Sequence, residues 1–124
     1  MLREDLRHWT EDSFGPWALI DRKDGSFVGR GGLRRTVIEG EPVVELLWTI
    51  EPGRWGMGLA TEAAFAAIDW AKSLGLHEVV AMTLPYNRAS RRVAEKAALQ
   101  FSGEIEHAGL VHVLYRLAYE TEPR

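Results

Sequence analysis

Between residues 59 and 74 the chain reads LATEAAFAAIDWAKSL. Ala60, Ala63, Ala64, Ala67, Ile68, Ala71 and Leu74 share one helical stripe, and Thr61, Glu62, Asp69, Lys72 and Ser73 fall largely on the other side. That spacing predicts an amphipathic helix. Its apolar face is almost all alanine, so the helix must lie close to whatever it covers, and a sheet suits it better than a leucine seam. Gly75 supplies a C-terminal stop. Just before the helix, Gly56-Met57-Gly58 follows a strand-like run, VVELLWTI at 43–50, which is apolar except for Glu45 and Thr49. The first amides of a helix entered in this way have no intrahelical partner and sit at the positive end of its dipole. Such a turn can receive an anion such as a diphosphate. A plain strand-to-helix turn that needed glycine accounts for the three residues equally well.

The rest of the chain alternates between two characters. Residues 2–10, LREDLRHWT, place Leu2, Leu6 and Trp9 at helical spacing. Trp17–Asp21 reads as a strand, Asp24-Gly25 as a hairpin turn, and Ser26–Leu33 as the returning strand. A second turn at Glu39-Gly40-Glu41-Pro42 leads into Val43–Ile50, completing an antiparallel meander. After the alanine helix, Glu78–Leu84 reads as a strand. Asn87 is placed to cap a helix over Arg88–Leu99, and Phe101–Glu106 and His112–Tyr119 form a closing pair around Ala108-Gly109. The expected fold is α/β, with a single mixed, mostly antiparallel sheet flanked by helices. At 124 residues the chain is long enough for one domain, spanning 1–124.

Composition removes several classes of function. Fifteen basic and eighteen acidic residues give a net charge of −3, which argues against a nucleic-acid partner. With no cysteine there is no disulfide, thiolate metal site or cysteine nucleophile. The four histidines show no metal-ligand spacing, so no metal is expected. No apolar run approaches the roughly 20 residues that span a bilayer, and the first residues lack the apolar core of a signal peptide. The expected location is the cytoplasm.

Two familiar phosphate loops fail on inspection. A dinucleotide fingerprint needs glycine where Thr61 stands, and a P-loop needs lysine after its last glycine, where Leu59 stands. The wider pattern resembles a third family. Glu45-Leu46-Leu47-Trp48-Thr49-Ile50-Glu51-Pro52, followed by Trp55-Gly56-Met57-Gly58-Leu59-Ala60-Thr61-Glu62-Ala63, is similar to the acyl-CoA-binding segment of the GNAT superfamily of acetyl-CoA-dependent N-acetyltransferases. Asn87-Arg88-Ala89-Ser90, followed by Val93, Glu95-Lys96 and Phe101, resembles that family's next strand–helix unit. The Trp-Gly-x-Gly and Asn-x-x-Ser flavour is similar to the ribosomal-protein N-terminal acetyltransferase branch. The resemblance covers about residues 15–119.

This resemblance implies a use for each segment. Amides of Met57, Gly58, Leu59, Ala60 and Thr61, after Trp55 and Gly56, would hold the pyrophosphate of acetyl-CoA. Gly53 stands where many members carry glutamine or arginine, so Arg54 is expected to supply the positive charge instead. Arg88, Arg91 and Arg92 would meet the 3′-phosphate. A splay between the strand ending in Thr49 and Ile50 and the strand ending in Thr83 and Leu84 would admit the pantetheine arm, with Asn87 bonded to it. Glu45 is the expected general base, and a pairing with Arg34 or Arg35 across the hairpin is its alternative; Glu51 is less attractive because it sits in the loop before Pro52. Ser90 is the expected acid, because Ala94 stands where many members have a tyrosine; Tyr86 and Tyr115 are the available substitutes. The acceptor would be a primary amine, from a protein N-terminus or a small molecule. His107 and His112 would border its pocket.

By this resemblance, the family's opening strand and helix are expected to be missing before Leu2. An open sheet edge invites pairing, so a homodimer is expected. The missing unit and the absent helix tyrosine also favour an alternative reading, a CoA-binding or regulatory module without catalysis.

Overall fold

The computed structural model describes residues 16–119. The helix expected at residues 2–10 lies outside them. In chain order the elements are β1 (Pro16–Ile20), β2 (Phe27–Ile38), β3 (Glu41–Ile50), a 3-10 turn (Pro52–Arg54), α1 (Leu59–Ser73), β4 (Glu78–Thr83), α2 (Arg88–Lys96), β5 (Gln100–His107) and β6 (Leu110–Ala118). The strands form one six-stranded sheet in the order β1-β2-β3-β4-β6-β5. Every neighbouring pair is antiparallel except β3 and β4, which run parallel.

Boundaries shift by a residue or two throughout, and two differ from the sequence reading by more, each for a physical reason. β2 continues past Leu33 to Ile38 although it carries Arg34, Arg35 and Thr36. These polar residues face β3 residues in register: Arg34 pairs with Glu45, Arg35 with Val44 and Thr36 with Val43. The turn beyond them is only Glu39-Gly40, both at positive φ (49° and 81°), which is the two-residue geometry that matches strand twist. α2 ends at Lys96 rather than Leu99. Ala98 adopts a left-handed φ of 72°, and the Leu99 amide turns back to the Ala94 carbonyl at 2.9 Å. This is a helix C-terminus made without glycine.

The main core lies on one face of the sheet and is covered by both helices. Ala64, Ala67, Ile68 and Ala71 of α1, with Ala94 of α2 and its C-cap Ala97, pack on Leu33, Val44, Leu46, Val79, Ala81, Val113 and Tyr115. The alanine stripe does what its small side chains allow. A methyl group added to Gly31 in β2 would sit 3.2 Å from the Ala63 Cβ, so helix and sheet are already in contact there. The opposite face carries a smaller cluster of Ile38, Val80, Ile105 and Leu114, with Val43 and Met82 against it.

The junction of β3 and β4 positions everything that follows. β2 and β3 form a ten-pair ladder and β4 and β6 a six-pair ladder, but β3 and β4 share a single pair, Glu45 with Val80. Beyond that rung the two strands diverge toward their C-terminal ends. The splay anticipated from the sequence is therefore present.

Candidate active site

The splay opens into a cavity of about 650 Å³. One wall is the end of β3, with Trp48, Thr49 and Ile50. The floor is the turn into α1, with Arg54, Trp55, Gly56, Gly58, Leu59, Ala60 and Thr61. The other wall is the start and one face of α2, with Asn87, Ala89, Ser90, Arg92, Val93 and Lys96. Two segments about thirty residues apart in sequence thus face one another. Met57 and Arg88 are outside this wall, as are Thr83 and Leu84. Trp48, Arg92 and Lys96 are in it.

Each wall has a local cause. Gly58 is the N-cap of α1 at φ 76°, and Gly56 has φ 81°. An added Cβ would meet nothing within 4 Å at either glycine, so the left-handed backbone, not crowding, calls for glycine. No side chain caps this helix. Its first intrahelical bond runs from the Glu62 amide to the Gly58 carbonyl at 3.0 Å, leaving the amides of Leu59, Ala60 and Thr61 directed out of the helix end. α2 is different, because the Asn87 side-chain oxygen accepts the Ser90 amide at 3.1 Å. Asn87 is a true N-cap, and of its two side-chain polar atoms only the amide nitrogen is left to face the cavity.

The edge of β3 is partly engaged. The Glu51 amide donates to the Val28 carbonyl at 2.8 Å, toward β2. Strand alternation then turns the backbone groups of Trp48 and Ile50 the other way, into the splay. The Ile50 carbonyl is taken by the Trp55 indole N–H at 2.8 Å. Trp55 thereby fastens the loop to the strand end.

The basic residues divide into engaged and open groups. Arg54 donates to Asp21 at 2.6 Å and to Ser26 Oγ at 2.6 Å, with Asp24 at 3.8 Å. Its hydrogen bond to Asp21 holds the Asp21 carboxyl below the usual carboxylate range and raises the guanidinium's own pKa. The positive charge expected from Arg54 is therefore matched by the β1–β2 hairpin. Arg91 is turned away from the cavity. It donates to the Tyr115 hydroxyl at 3.0 Å and to the Pro85 carbonyl at 2.9 Å, and Tyr115 donates to Glu95 at 3.3 Å. Tyr115 is almost fully buried in that cluster and Tyr86 is largely exposed. Neither lines the cavity.

A second cavity, of about 410 Å³, lies on the opposite sheet face, which carries no helix among the described residues. Phe27, Arg30, Arg34, Leu47 and Glu51 help to line it, and it shares Thr49 and Ile50 with the first. The two cavities therefore meet at the C-terminal end of β3. Glu45 points to this second face but lines neither cavity. It is 5% exposed and bonded to Arg34 at 2.8 Å, the cross-hairpin pairing that the sequence left open. Glu51 is exposed and makes no ion pair among the described residues. His107 and His112 stack edge to face, 5.5 Å between centroids, at the tip of the β5–β6 hairpin and outside both walls. No cluster of three potential ligands is placed to hold a metal among the described residues. No helix among them is long and apolar enough to cross a membrane.

This architecture, a half-open sheet over an uncapped helix end, has relatives. The acetyltransferase (GNAT) domain model matches residues 2–100. YkkB of Bacillus subtilis, an uncharacterized protein, is 34% identical over 90 residues, covering 72% of this chain and 52% of its own length. An acetyltransferase from Agrobacterium tumefaciens superposes with a TM-score of 0.79 at 30% identity, covering 91% of this chain and 66% of that one. A ribosomal L7/L12 α-N-protein acetyltransferase in complex with coenzyme A shares the fold at 15% identity, with a TM-score of 0.79, covering 97% of this chain and 70% of that one. The chain belongs to the GNAT acetyltransferase family. It spans about half the length of the curated relatives it matches.

Proposed function

We propose that this chain forms one acetyltransferase domain that moves an acetyl group from acetyl-CoA directly to a primary amine. The observation that carries the reading is the first cavity, in which a partly open strand edge and an uncapped helix end face each other with no carboxylate in the wall. The fit to a CoA thioester is chemical. A diphosphate suits the outward amides of Leu59, Ala60 and Thr61. An amide-bearing arm suits the backbone groups of Trp48, the Ile50 amide and the side-chain nitrogen of Asn87. The cofactor would supply an activated acetyl group and a thiolate leaving group.

Ser90, half-buried in the α2 wall, is assigned to protonate or hold the departing sulfur. Thr49 and Ile50, shared by both cavities, border the place where amine and acyl group meet. The acceptor would enter from the second face. Its ammonium must lose a proton, and Glu45 is the first candidate to take it, through water, with Arg34 orienting its carboxylate. Glu51 is a second candidate, favoured by its place in the wall of the second cavity. Replacing each by glutamine separates them: the base is the one whose loss lowers kcat while acetyl-CoA affinity stays unchanged.

The Trp-Gly-x-Gly and Asn-x-x-Ser pattern supports the ribosomal-protein N-terminal acetyltransferase branch. Calorimetric titration with acetyl-CoA tests the cofactor site. Thiol release across a panel of peptide N-termini and small amines tests catalysis. Binding without release would favour a non-catalytic CoA-binding module.

A further inference from the structure

The second cavity is floored by rows of paired residues, and its charges are unevenly placed along them. Arg30, Gly32 and Arg34 share one face of β2, because side chains alternate along a strand. Opposite them on β3 stand Thr49, Leu47 and Glu45, in that order. Pro16 of β1 flanks Gly32 on its other side. The middle row, Pro16-Gly32-Leu47, is apolar, and Gly32 puts no side chain between the two arginines. Arg30 and Arg34 both line the cavity, with Pro16 and Leu47. Glu51 is the only carboxylate among the described residues of this wall. It continues the same face of β3 one row past Thr49. Glu45 is buried, accepts from one nitrogen of Arg34 at 2.8 Å and is outside the wall. A guanidinium has several N–H donors, and the Arg34 side chain is 42% exposed, so it can serve a second acceptor.

The cavity therefore has a negative end at Glu51, beside Thr49 and Ile50 where the first cavity joins it, and a positive stretch from Arg30 to Arg34. A bare amine suits this poorly. It arrives at neutral pH as a cation and meets two guanidinium groups. A molecule with a carboxylate behind its amine matches both ends, and guanidinium forks are shaped for carboxylates. Register says how far behind. From the Thr49 row to the Leu47 row, where the two arginines can converge, is about 7 Å of strand. An α-amino acid carries both charges on one carbon and is too short. An ω-amino acid, or a peptide N-terminus followed by an acidic residue, has the right reach.

We infer that the acceptor is an amine carrying a carboxylate about 7 Å away, held by Arg30 and Arg34 while Glu51 draws the ammonium toward Thr49 and Ile50. This rests on the reading of the second cavity as the acceptor's entrance. It makes Arg30 and Arg34 specificity-determining residues, and gives Arg34 a part in binding beside its bond to Glu45.

The test is thiol release from acetyl-CoA with matched pairs of acceptors: δ-aminovalerate against its amide, and a Ser-Glu-Ala peptide against Ser-Gln-Ala, both with amidated C-termini. The wild type should favour the carboxylate member of at least one pair by about tenfold or more in kcat/KM, as expected for charge-assisted contacts partly screened by solvent. The pair that shows the preference names the source of the carboxylate. Arg30→Gln should shrink that ratio. So should Arg34→Lys, which keeps a cation beside Glu45 but loses the planar fork. The ratio is the readout because a weakened fold or base slows both members alike. Equal use of both members of each pair by the wild type would overturn the carboxylate subsite and leave acetyl transfer standing. A ratio that either folded variant leaves intact would overturn it too, since the assignment is to the two arginines together. Thiol release with other amines but with none of these acceptors would also overturn the subsite alone. No release with any amine would overturn the acetyl-transfer reading and the subsite with it.

Discussion

Replacing Arg34 by methionine should cost more stability than replacing Glu45 by glutamine, although Glu45 is the buried partner. The pair is asymmetric: the Glu45 side chain is 7% exposed and that of Arg34 is 42% exposed. Removing Arg34 leaves a carboxylate inside the sheet face with no counter-charge, which costs about 3–5 kcal/mol in comparable cases. Glu45→Gln keeps the size and an oxygen for Arg34, and the half-exposed guanidinium can be rehydrated. Its cost should be about 1 kcal/mol, the scale of one ordinary hydrogen bond. The difference of about 2–4 kcal/mol should appear as a shift in urea midpoint at pH 7 with an unchanged m-value. If the two variants lose equal stability, or Glu45→Gln loses more, burial does not govern the pair and the argument fails. The same two proteins bear on mechanism. A Glu45→Gln variant that stays folded and loses acetyl transfer supports its role as base; one that stays folded and active moves the assignment to Glu51.

Gly58→Asp would add a carboxylate at the α1 amides and force an L-residue into a left-handed backbone, so acetyl-CoA affinity by calorimetry should fall at least tenfold, about 1.4 kcal/mol; unchanged affinity would remove the loop from the site. Gly31→Val should destabilise by about 1–3 kcal/mol in chemical denaturation by forcing α1 away from β2, and a neutral result would contradict the 3.2 Å approach of Ala63. Asp21→Asn should lower stability at neutral pH and converge with wild type in acid. The folded pKa of Asp21 is depressed by Arg54, so its stabilisation is present above the ordinary carboxylate pKa and is lost as pH falls through the folded value. Melts of both proteins across that range should show the gap closing toward low pH, and a gap independent of pH would count against the contact.

Much of this fold was written in local pattern. The alanine stripe of α1 could only be a helix lying close to a sheet, and Asn87 announced the start of α2. The Glu39-Gly40 and Ala108-Gly109 pairs marked two hairpins. What local pattern hid was set by partners distant in sequence. Arg34 to Thr36 look like loop until Glu45, Val44 and Val43 stand opposite them. The C-terminus of α2 depends on Ala98, which has no helix-ending chemistry of its own. At the site, the Gly-Met-Gly turn and Asn-Arg-Ala-Ser were legible and do face each other. The disposition of the charges was not. Nothing near Arg54 in sequence says that Asp21 will hold it, and nothing beside Arg91 says that Tyr115 will turn it from the cavity. Lys96 could have been found by counting four residues on from Arg92 along the same face.

The single rung between β3 and β4 has a mechanical consequence. The sheet is in effect two panels, β1-β2-β3 and β4-β6-β5, hinged at Glu45 and Val80 and held together mainly by the helices packed across one face. A molecule lying in the splay would act as a strap between the panels as well as a reactant. Its binding energy would then add to the resistance of the whole sheet to unfolding. Amides bordering the gap, such as those of Trp48 and Ile50, should become slower to exchange when the splay is filled, while those in the β2–β3 ladder change little. In such a molecule, loading the donor and completing the sheet are one event.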